Sequence, residues 1–313
     1  MAAVRVRVPA TSANLGPGFD TFGLALDLYD EVEARASASG RFQVEVEGEG
    51  AGEVPADESH LVVRAMLAAF ESRGRQPVPA EVRCHNRIPH GRGLGSSAAA
   101  IVAGVTAGFS LLAKEGDTPD RDDVFALAAD LEGHPDNVAP CVYGGFTQAW
   151  ATEEGFRALR LDPSPRIRPV VCVAGERLST ERARGLLPEA VPHSDAAFNA
   201  ARAGLLAAAM TGHPEVLWDA TEDRLHQRYR ASAMPDTAKL LDALRDDERL
   251  PAVISGAGPS VLVLTDSGAA NPVNEDENFV PVVGSIRARA GTHWHVRPST
   301  IDPVGVNVSI SRS

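Results

Sequence analysis

The chain has 313 residues, 44% of them hydrophobic and 23% charged, with a formal net charge of −12. That length allows one large domain or two medium ones, and the composition is that of an ordinary globular protein. Acids are spread along the chain with no basic face, which excludes sequence-independent nucleic-acid binding; a bound polyphosphate would need positive potential supplied locally. The opening MAAVRVRVPATS lacks the apolar core of a secretory leader. The longest weakly apolar run, 98–113, is too short and too rich in Ala, Gly, Thr and Ser to span a bilayer. Cys84, Cys141 and Cys172 fall in no CxxC pattern and read as buried structural thiols, so a reduced, cytoplasmic protein is expected.

In chain order, Val4, Val6 and Val8 alternate with Arg5 and Arg7, the period of a half-buried strand. A loop over 11–26 precedes strands at 29–35 and 42–47, parted by a turn at Ser39-Gly40. Asp57-Glu58-Ser59 then caps a helix over 60–72. A strand at 80–86 feeds a glycine-rich loop and an alanine-rich helix from 98 to about 113, and Thr118-Pro119 opens another helix to about 131. Strands follow near 145–149 and 168–174. The stretch 181–245 reads as mostly helical, broken at Pro188, Pro192, Pro214 and Pro235, and the chain closes with strands near 252–264, 280–283 and 294–310. The polar segment 267–278 reads as a surface loop. Strand-rich and helix-rich stretches mixed in this way indicate an α+β architecture.

The most informative stretch is Pro89-His90-Gly91-Arg92-Gly93-Leu94-Gly95-Ser96-Ser97-Ala98-Ala99-Ala100. Three alternate glycines let the backbone curl around a ligand, and the helix that follows aims free N–H groups and its positive dipole end at it, an arrangement suited to phosphate. The two serines could cap the helix, touch a phosphate or reach a metal ion bridging phosphates. No lysine follows the last glycine, so this is not a Walker loop, and the setting is not that of a dinucleotide fold.

The loop PxxxGLGSSAA resembles the phosphate loop of the GHMP small-molecule kinases. Two further stretches match in the right order. PATSANLGPGFDTFGLAL (9–26) resembles the opening of the homoserine kinases among them, and ISGAGPSVL (254–262) is similar to the superfamily's third motif, a glycine-rich loop beside the nucleotide. The resemblance implies two lobes with the site between them, here divided as 1–160 (phosphate loop, nucleotide and metal) and 161–313 (substrate clamp and third motif). It implies ATP as phosphoryl donor and Mg²⁺ as cofactor, with Pro89, Gly91, Arg92, Gly93, Leu94, Gly95, Ser96, Ser97, Ala98 and Ala99 around the nucleotide phosphates.

The same resemblance points to Ser97 and Glu132 as metal ligands; taken alone, Glu132 would be a solvated acid at a helix end. EGHPDNVAP (132–140) is similar to the corresponding homoserine kinase segment. Homoserine carries an ammonium, a carboxylate and a primary hydroxyl, so an acid and bidentate arginines are wanted for its charged end. The family's matching positions are Asn14, Asp20, Arg184 and Arg230, with Arg182 and Arg224 as neighbours that a register shift would exchange. Asn137 holds the hydroxyl in line with the γ-phosphate in this reading, and Thr180 touches the transferring phosphate. Asp136 could be argued as a base, but neighbours in an extended segment point opposite ways, which favours Asn137 alone. Ser59-His60-Leu61-Val62 lies where the family has its adenine-facing segment, with His60 in place of the usual asparagine, so the base contact stays unassigned. His293 and His295 alternate in an expected strand and read as structural or solvated.

The expected activity is ATP- and Mg²⁺-dependent phosphorylation of L-homoserine by direct in-line transfer without an obvious carboxylate base, and the resemblance also implies a homodimer. The rivals are a GHMP kinase for another small alcohol, such as mevalonate or a sugar, and a silent nucleotide-binding sensor.

Overall fold

The valine–arginine alternation at the start extends further than its sequence signal. In the computed structural model, which describes residues 2–114, 117–268 and 275–312, strand β1 runs Ala2–Ala13 and β2 runs Phe22–Ala36, so the loop expected over 11–26 is confined to 14–21. Val4, Val6 and Val8 face the core while Arg5 and Arg7 face out. Strands β3 (Gln43–Gly48) and β4 (Ala80–Asn86) follow, with helix α1 (Leu61–Ser72) between them. The helix cap is His60, whose Nδ1 accepts from the Val62 amide at 3.2 Å. Asp57 folds instead onto Ser59, accepting from its amide at 2.9 Å and its hydroxyl at 2.6 Å, which makes a turn and not the expected cap.

Helix α2 (Ser96–Leu112) starts at the serines and is buried along nearly its whole length against α1 and β1. Its close approach to α1 needs glycine: a Cβ at Gly104 would lie 2.3 Å from the Val62 carbonyl oxygen. Helix α3 (Arg121–Glu132) is capped by Asp120, two residues past the expected Thr118-Pro119 start, and it ends at the left-handed Gly133. Helix α4 (Val138–Tyr143) leads into β5 (Phe146–Thr152), which pairs with β6 (Gly155–Leu161), a hairpin partner the sequence pattern did not reveal. The first sheet has the order β11-β1-β2-β4-β3; β5 joins at the start of β2 and carries β6, and β11 is Asn307–Arg312.

The second sheet, in the order β10-β7-β9-β8, is antiparallel and is made of β7 (Ile167–Ala174), β8 (Ala252–Ile254), β9 (Val261–Asp266) and β10 (Trp294–Pro298). Between β7 and β8 come α5 (Thr180–Arg184), α6 (His193–Thr211), α7 (Leu217–Ala220), α8 (Gln227–Arg230) and α9 (Pro235–Asp242). The change of sheet falls between Leu161 and Ile167, but β11 crosses back to pair with β1 at the edge of the first sheet.

Residues 280–283, expected as a strand, lie in helix α10 (Glu275–Ala290). Val-Pro-Val-Val is apolar enough for either assignment, and the deciding pattern is longer. Phe279, Val283, Ile286 and Ala290 are buried at helical spacing, while Val280 is exposed. The expected loop over 267–278 therefore gives way to helix at 275, and its central part, 269–274, lies outside the described residues. His293 closes a 3-10 turn ahead of β10, so it does not alternate with His295 in one strand. The three cysteines are buried free thiols. No helix among the described residues is long and apolar enough to cross a membrane.

Candidate active site

Three sequence-distant glycine and hydroxyl motifs meet at the start of α2. Gly91, Gly93 and Gly95 all adopt left-handed backbone, with φ of 67°, 72° and 70°. Space forbids a side chain as well: a Cβ on Gly93 would lie 2.2 Å from the Ser255 carbonyl oxygen, and one on Gly95 would lie 1.9 Å from Thr11 Oγ1. The Thr11 amide donates to the Leu94 carbonyl at 3.1 Å, and the Gly256 amide to the Ala13 carbonyl at 3.0 Å. Ser255 Oγ donates to the Gly93 carbonyl at 2.6 Å and shares a hydrogen bond with Ser12 Oγ at 2.8 Å. The loop is thus held on both flanks where it enters the N-terminus of α2.

Two cavities adjoin at Ser96 and Ser97. The smaller, of about 160 Å³, is lined by Gly91, Gly93 and Gly95, by Asn137 beside Gly95, and by Arg184 and Arg230. The larger, of about 340 Å³, has an apolar wall that includes Val8, Val62 and Ala103 and polar points at Asp30, His60 and His90. Its lining contains all four residues 59–62. Asp30 is buried there; its Oδ1 accepts from the amides of Arg87 and Ile88 at 2.6 and 2.9 Å, and burial pushes its pKa up to about 6. Leu94 and Ala98 are buried, so those side chains face the core and only their backbone can meet a phosphate, while Ala99 is buried in the wall of the larger cavity. Arg92 turns away from both cavities. Its Nε and Nη2 donate to the carbonyls of Ala174 and Gly175 at 2.8 and 3.1 Å, tying the loop to the end of β7. Pro89 lines neither cavity.

At the mouth of α2, Ser97 Oγ donates to Glu132 Oε2 at 2.8 Å. Burial raises the pKa of Glu132 above its ordinary value, against the lowering effect of the Ser97 hydrogen bond. A half-buried carboxylate beside a hydroxyl, next to a phosphate loop, is a donor pair that fits a hard divalent cation. Among the described residues no group of three or more His, Cys, Asp or Glu is gathered to hold an ion.

Part of the small cavity's lining is charged. Arg184 forms a two-pronged ion pair with Asp20, Nη1 to Oδ2 at 3.1 Å and Nη2 to Oδ1 at 2.5 Å. Arg230 is almost fully buried, and burial together with the like charge of Arg184 pulls its pKa down to about 10. The Nε atoms of both arginines are buried and without a hydrogen-bond partner. The Phe19 ring lies 5.5 Å from Arg184 Cζ and 5.3 Å from Arg230 Cζ. Asn14, in left-handed backbone at φ 68°, donates from Nδ2 to the Gly256 carbonyl at 2.8 Å and accepts the Asp20 amide at 3.0 Å. Arg182 is exposed, and Arg224 is paired with Asp195 and stacked on Phe198; neither lines the cavity.

Asp136 and Asn137 both line the cavity, contrary to the expectation that neighbours in an extended segment diverge. Asn137 has helical backbone, φ −90° and ψ −32°, at the N-terminal end of α4, so the alternation argument does not apply. Asp136 Oδ1 accepts the Asn137 amide at 2.8 Å and lies 3.4 Å from His134 Nδ1, which raises the pKa of that histidine. Thr11 Oγ1 donates to Asn137 Oδ1 at 2.8 Å, placing the Asn137 amide against Gly95. Thr180 is exposed at the first turn of α5 and faces the same cavity. Thr11 and His134 stand inside the motifs at 9–26 and 132–140, and His226 stands four residues before Arg230, but only a folded neighbour gives each its role.

Comparison with known proteins agrees with this geometry. Residues 60–145 match the family description "GHMP kinases N terminal domain" and residues 215–275 match "GHMP kinases C terminal". The homoserine kinase of Streptomyces coelicolor is 51% identical over 307 residues, covering 98% of this chain and 94% of that protein. That of Streptomyces avermitilis is 54% identical over 308 residues, with 98% and 96% covered. The crystal structure of homoserine kinase from Cytophaga hutchinsonii superposes with a TM-score of 0.84 at 27% identity, covering 98% of this chain and 97% of that one. An identity above one half along nearly the whole of both chains leaves no room for a different ancestry: the chain belongs to the homoserine kinase family of the GHMP kinases.

Proposed function

We propose that the protein transfers the γ-phosphoryl group of ATP to the side-chain hydroxyl of L-homoserine, giving O-phospho-L-homoserine for threonine synthesis. The observation that carries the reading is the single small cavity lined by a glycine phosphate loop and by Arg184 and Arg230, with Asp20 paired to Arg184. Two guanidiniums and one carboxylate complement an amino-acid zwitterion, and a neutral sugar would leave the net positive charge of the group unmatched.

In this reading the adenine occupies the larger cavity and the triphosphate crosses Ser96 and Ser97 to the amides of residues 91–97. Arg230 and Arg184 grip the substrate carboxylate, and Asp20, with Asn14 behind it, receives the ammonium. Asn137, braced by Thr11, holds the hydroxyl facing the phosphate loop. The hydroxyl oxygen forms a bond to the γ-phosphorus as the bond to the β–γ bridging oxygen breaks and ADP departs. Asparagine is not basic enough to accept the proton, which passes to a phosphate oxygen or to water. Alignment and charge stabilisation supply most of the rate, with Thr180 contacting the transferring group. Ser97 and Glu132 would hold Mg²⁺, which supplies neutralisation of phosphate charge when bound.

The test is ADP release with Mg·ATP against L-homoserine, L-serine, L-threonine, mevalonate and galactose. Turnover confined to homoserine is expected. A preference for mevalonate or galactose would overturn the substrate assignment, and binding of ATP without turnover of any of the five would make the protein a sensor.

A further inference from the structure

His226 lies beside the substrate clamp with no accessible surface, and both of its ring nitrogens are engaged. Nε2 is 2.8 Å from the Gly16 carbonyl oxygen, which can only accept, so Nε2 carries the hydrogen. Nδ1 is 3.1 Å from Arg230 Nη1, which can only donate, so Nδ1 presents a bare lone pair. The two partners therefore specify one neutral tautomer. Burial, aided by the Arg230 charge, depresses the pKa of the ring, while Asp223 and Asp20 act in the opposite sense. The Asp223 carboxylate is itself taken up by the amides of Leu225, His226 and Gln227 at 2.9, 3.1 and 2.8 Å.

The two atoms joined by this ring belong to the two halves of the clamp. Gly16 sits in the 14–20 loop that carries Asn14 and Asp20, and Arg230 is the buried half of the arginine pair. A second tie runs the same way: Asn199 Nδ2 donates to the Pro17 carbonyl at 2.7 Å. The Gly256 carbonyl accepts from both Asn14 Nδ2 and Arg230 Nη1, at 2.8 and 3.3 Å, so loop and arginine also share an acceptor.

We infer that His226 is a positioning residue that fixes the buried Arg230 against the 14–20 loop, and thereby the spacing of the carboxylate and ammonium sites within the charged-head clamp. A guanidinium fixed at Nη1 and a loop fixed at Gly16 hold the cationic and anionic halves of the clamp in one arrangement, and loosening them weakens the grip on a zwitterion. The inference rests on the homoserine reading above, and the wild-type substrate panel tests that reading separately.

The experiment has two parts. In wild-type protein, ¹⁵N NMR of labelled histidine should show one buried ring protonated at Nε2 and bare at Nδ1 from pH 6 to 8. An Nδ1–H tautomer or a doubly protonated ring at this position would overturn the inference. In steady-state kinetics, His226→Phe keeps the ring and removes both hydrogen bonds. It should raise KM for homoserine about 10- to 100-fold and leave KM for ATP within about twofold. His226→Gln, whose amide can both accept from Arg230 and donate to Gly16, should recover most of the loss. A homoserine KM unchanged in His226→Phe, equal weakening of both substrates, or failure of His226→Gln to recover would each refute the role. If the phenylalanine variant does not fold, the glutamine variant and the tautomer measurement still decide.

Discussion

Thr11→Val removes one hydroxyl and keeps the branched shape of the side chain. The hydroxyl donates to Asn137 Oδ1 at 2.8 Å and is the atom nearest to where a Gly95 Cβ would stand. Its loss frees the Asn137 amide to rotate away from the phosphate loop. A hydrogen bond of this kind contributes about 0.5–1.5 kcal/mol net, and if that is lost chiefly in the transition state kcat falls about 2- to 13-fold. Asn137→Ala, which removes the amide altogether, sets the ceiling at about 10²-fold. In the proposed binding mode the homoserine head is held elsewhere, by Arg184, Arg230 and Asp20, so its KM should stay near the parent value. In a chain of this size the loss of about 1 kcal/mol lowers Tm by roughly 2 °C, far too little to account for lost activity at assay temperature. The assay is coupled ADP release at saturating Mg·ATP, with homoserine varied, for the parent, Thr11→Val and Thr11→Ser. Thr11→Ser retains the hydroxyl and should run close to the parent. An unchanged kcat in Thr11→Val, or a raised KM for ATP in its place, would show that Thr11 does not orient Asn137.

Arg184→Ala should raise KM for homoserine about 10- to 100-fold with KM for ATP little changed, and Arg184→Lys should not restore it, because an ammonium cannot reproduce the two-pronged contact with Asp20; equal changes in both KM values would remove it from the clamp. Glu132→Gln should increase the Mg²⁺ concentration needed for half-maximal rate. Because burial raises the Glu132 pKa, the parent should lose kcat/KM for Mg·ATP as pH falls through a value above the ordinary carboxylate range, and the variant should lack that acid limb. Asp30 gives a stability test without nucleotide. Its folded pKa of about 6 lies above the ordinary 3.8, so the folded state binds the proton more tightly. The stabilisation is present below pH 3.8 and is lost as pH rises through about 6. Urea unfolding from pH 4.5 to 7.5 should show Asp30→Asn gaining on the parent by about 2 kcal/mol, since asparagine Oδ1 can still accept both amides; a gap that does not widen with pH would refute the assignment.

Much of the site could be read from the chain because its parts are contiguous. Glycines at alternate positions before two serines specify a left-handed, tightly curled loop wherever they occur, and Gly91, Gly93 and Gly95 adopt it. The strand alternation of residues 4–8 and the run of small apolar residues after Ser97 likewise carry their own structure. What failed had local causes that a short window conceals. Val280 to Val283 resembled a strand until the stripe from Phe279 to Ala290 was taken as a whole. The argument that Asp136 and Asn137 diverge assumed extended backbone where a helix begins.

The sequence by itself determined the chemical inventory and its local geometry: the phosphate loop, the acid at a helix end, and the supply of arginines and hydroxyls. Only the tertiary structure decided which of these meet. Asp20 and Arg184 are 164 positions apart, Thr11 and Asn137 are 126 apart, and Gly16 and His226 are 210 apart. Arg182 and Arg184 differ by about 200° around a helix, so the packing of α5 selects between them, and nothing in their neighbours does. Backbone preference acts over a few residues, whereas these contacts depend on how the second sheet and its helices settle against the first. The periodicity of either part alone does not encode that packing.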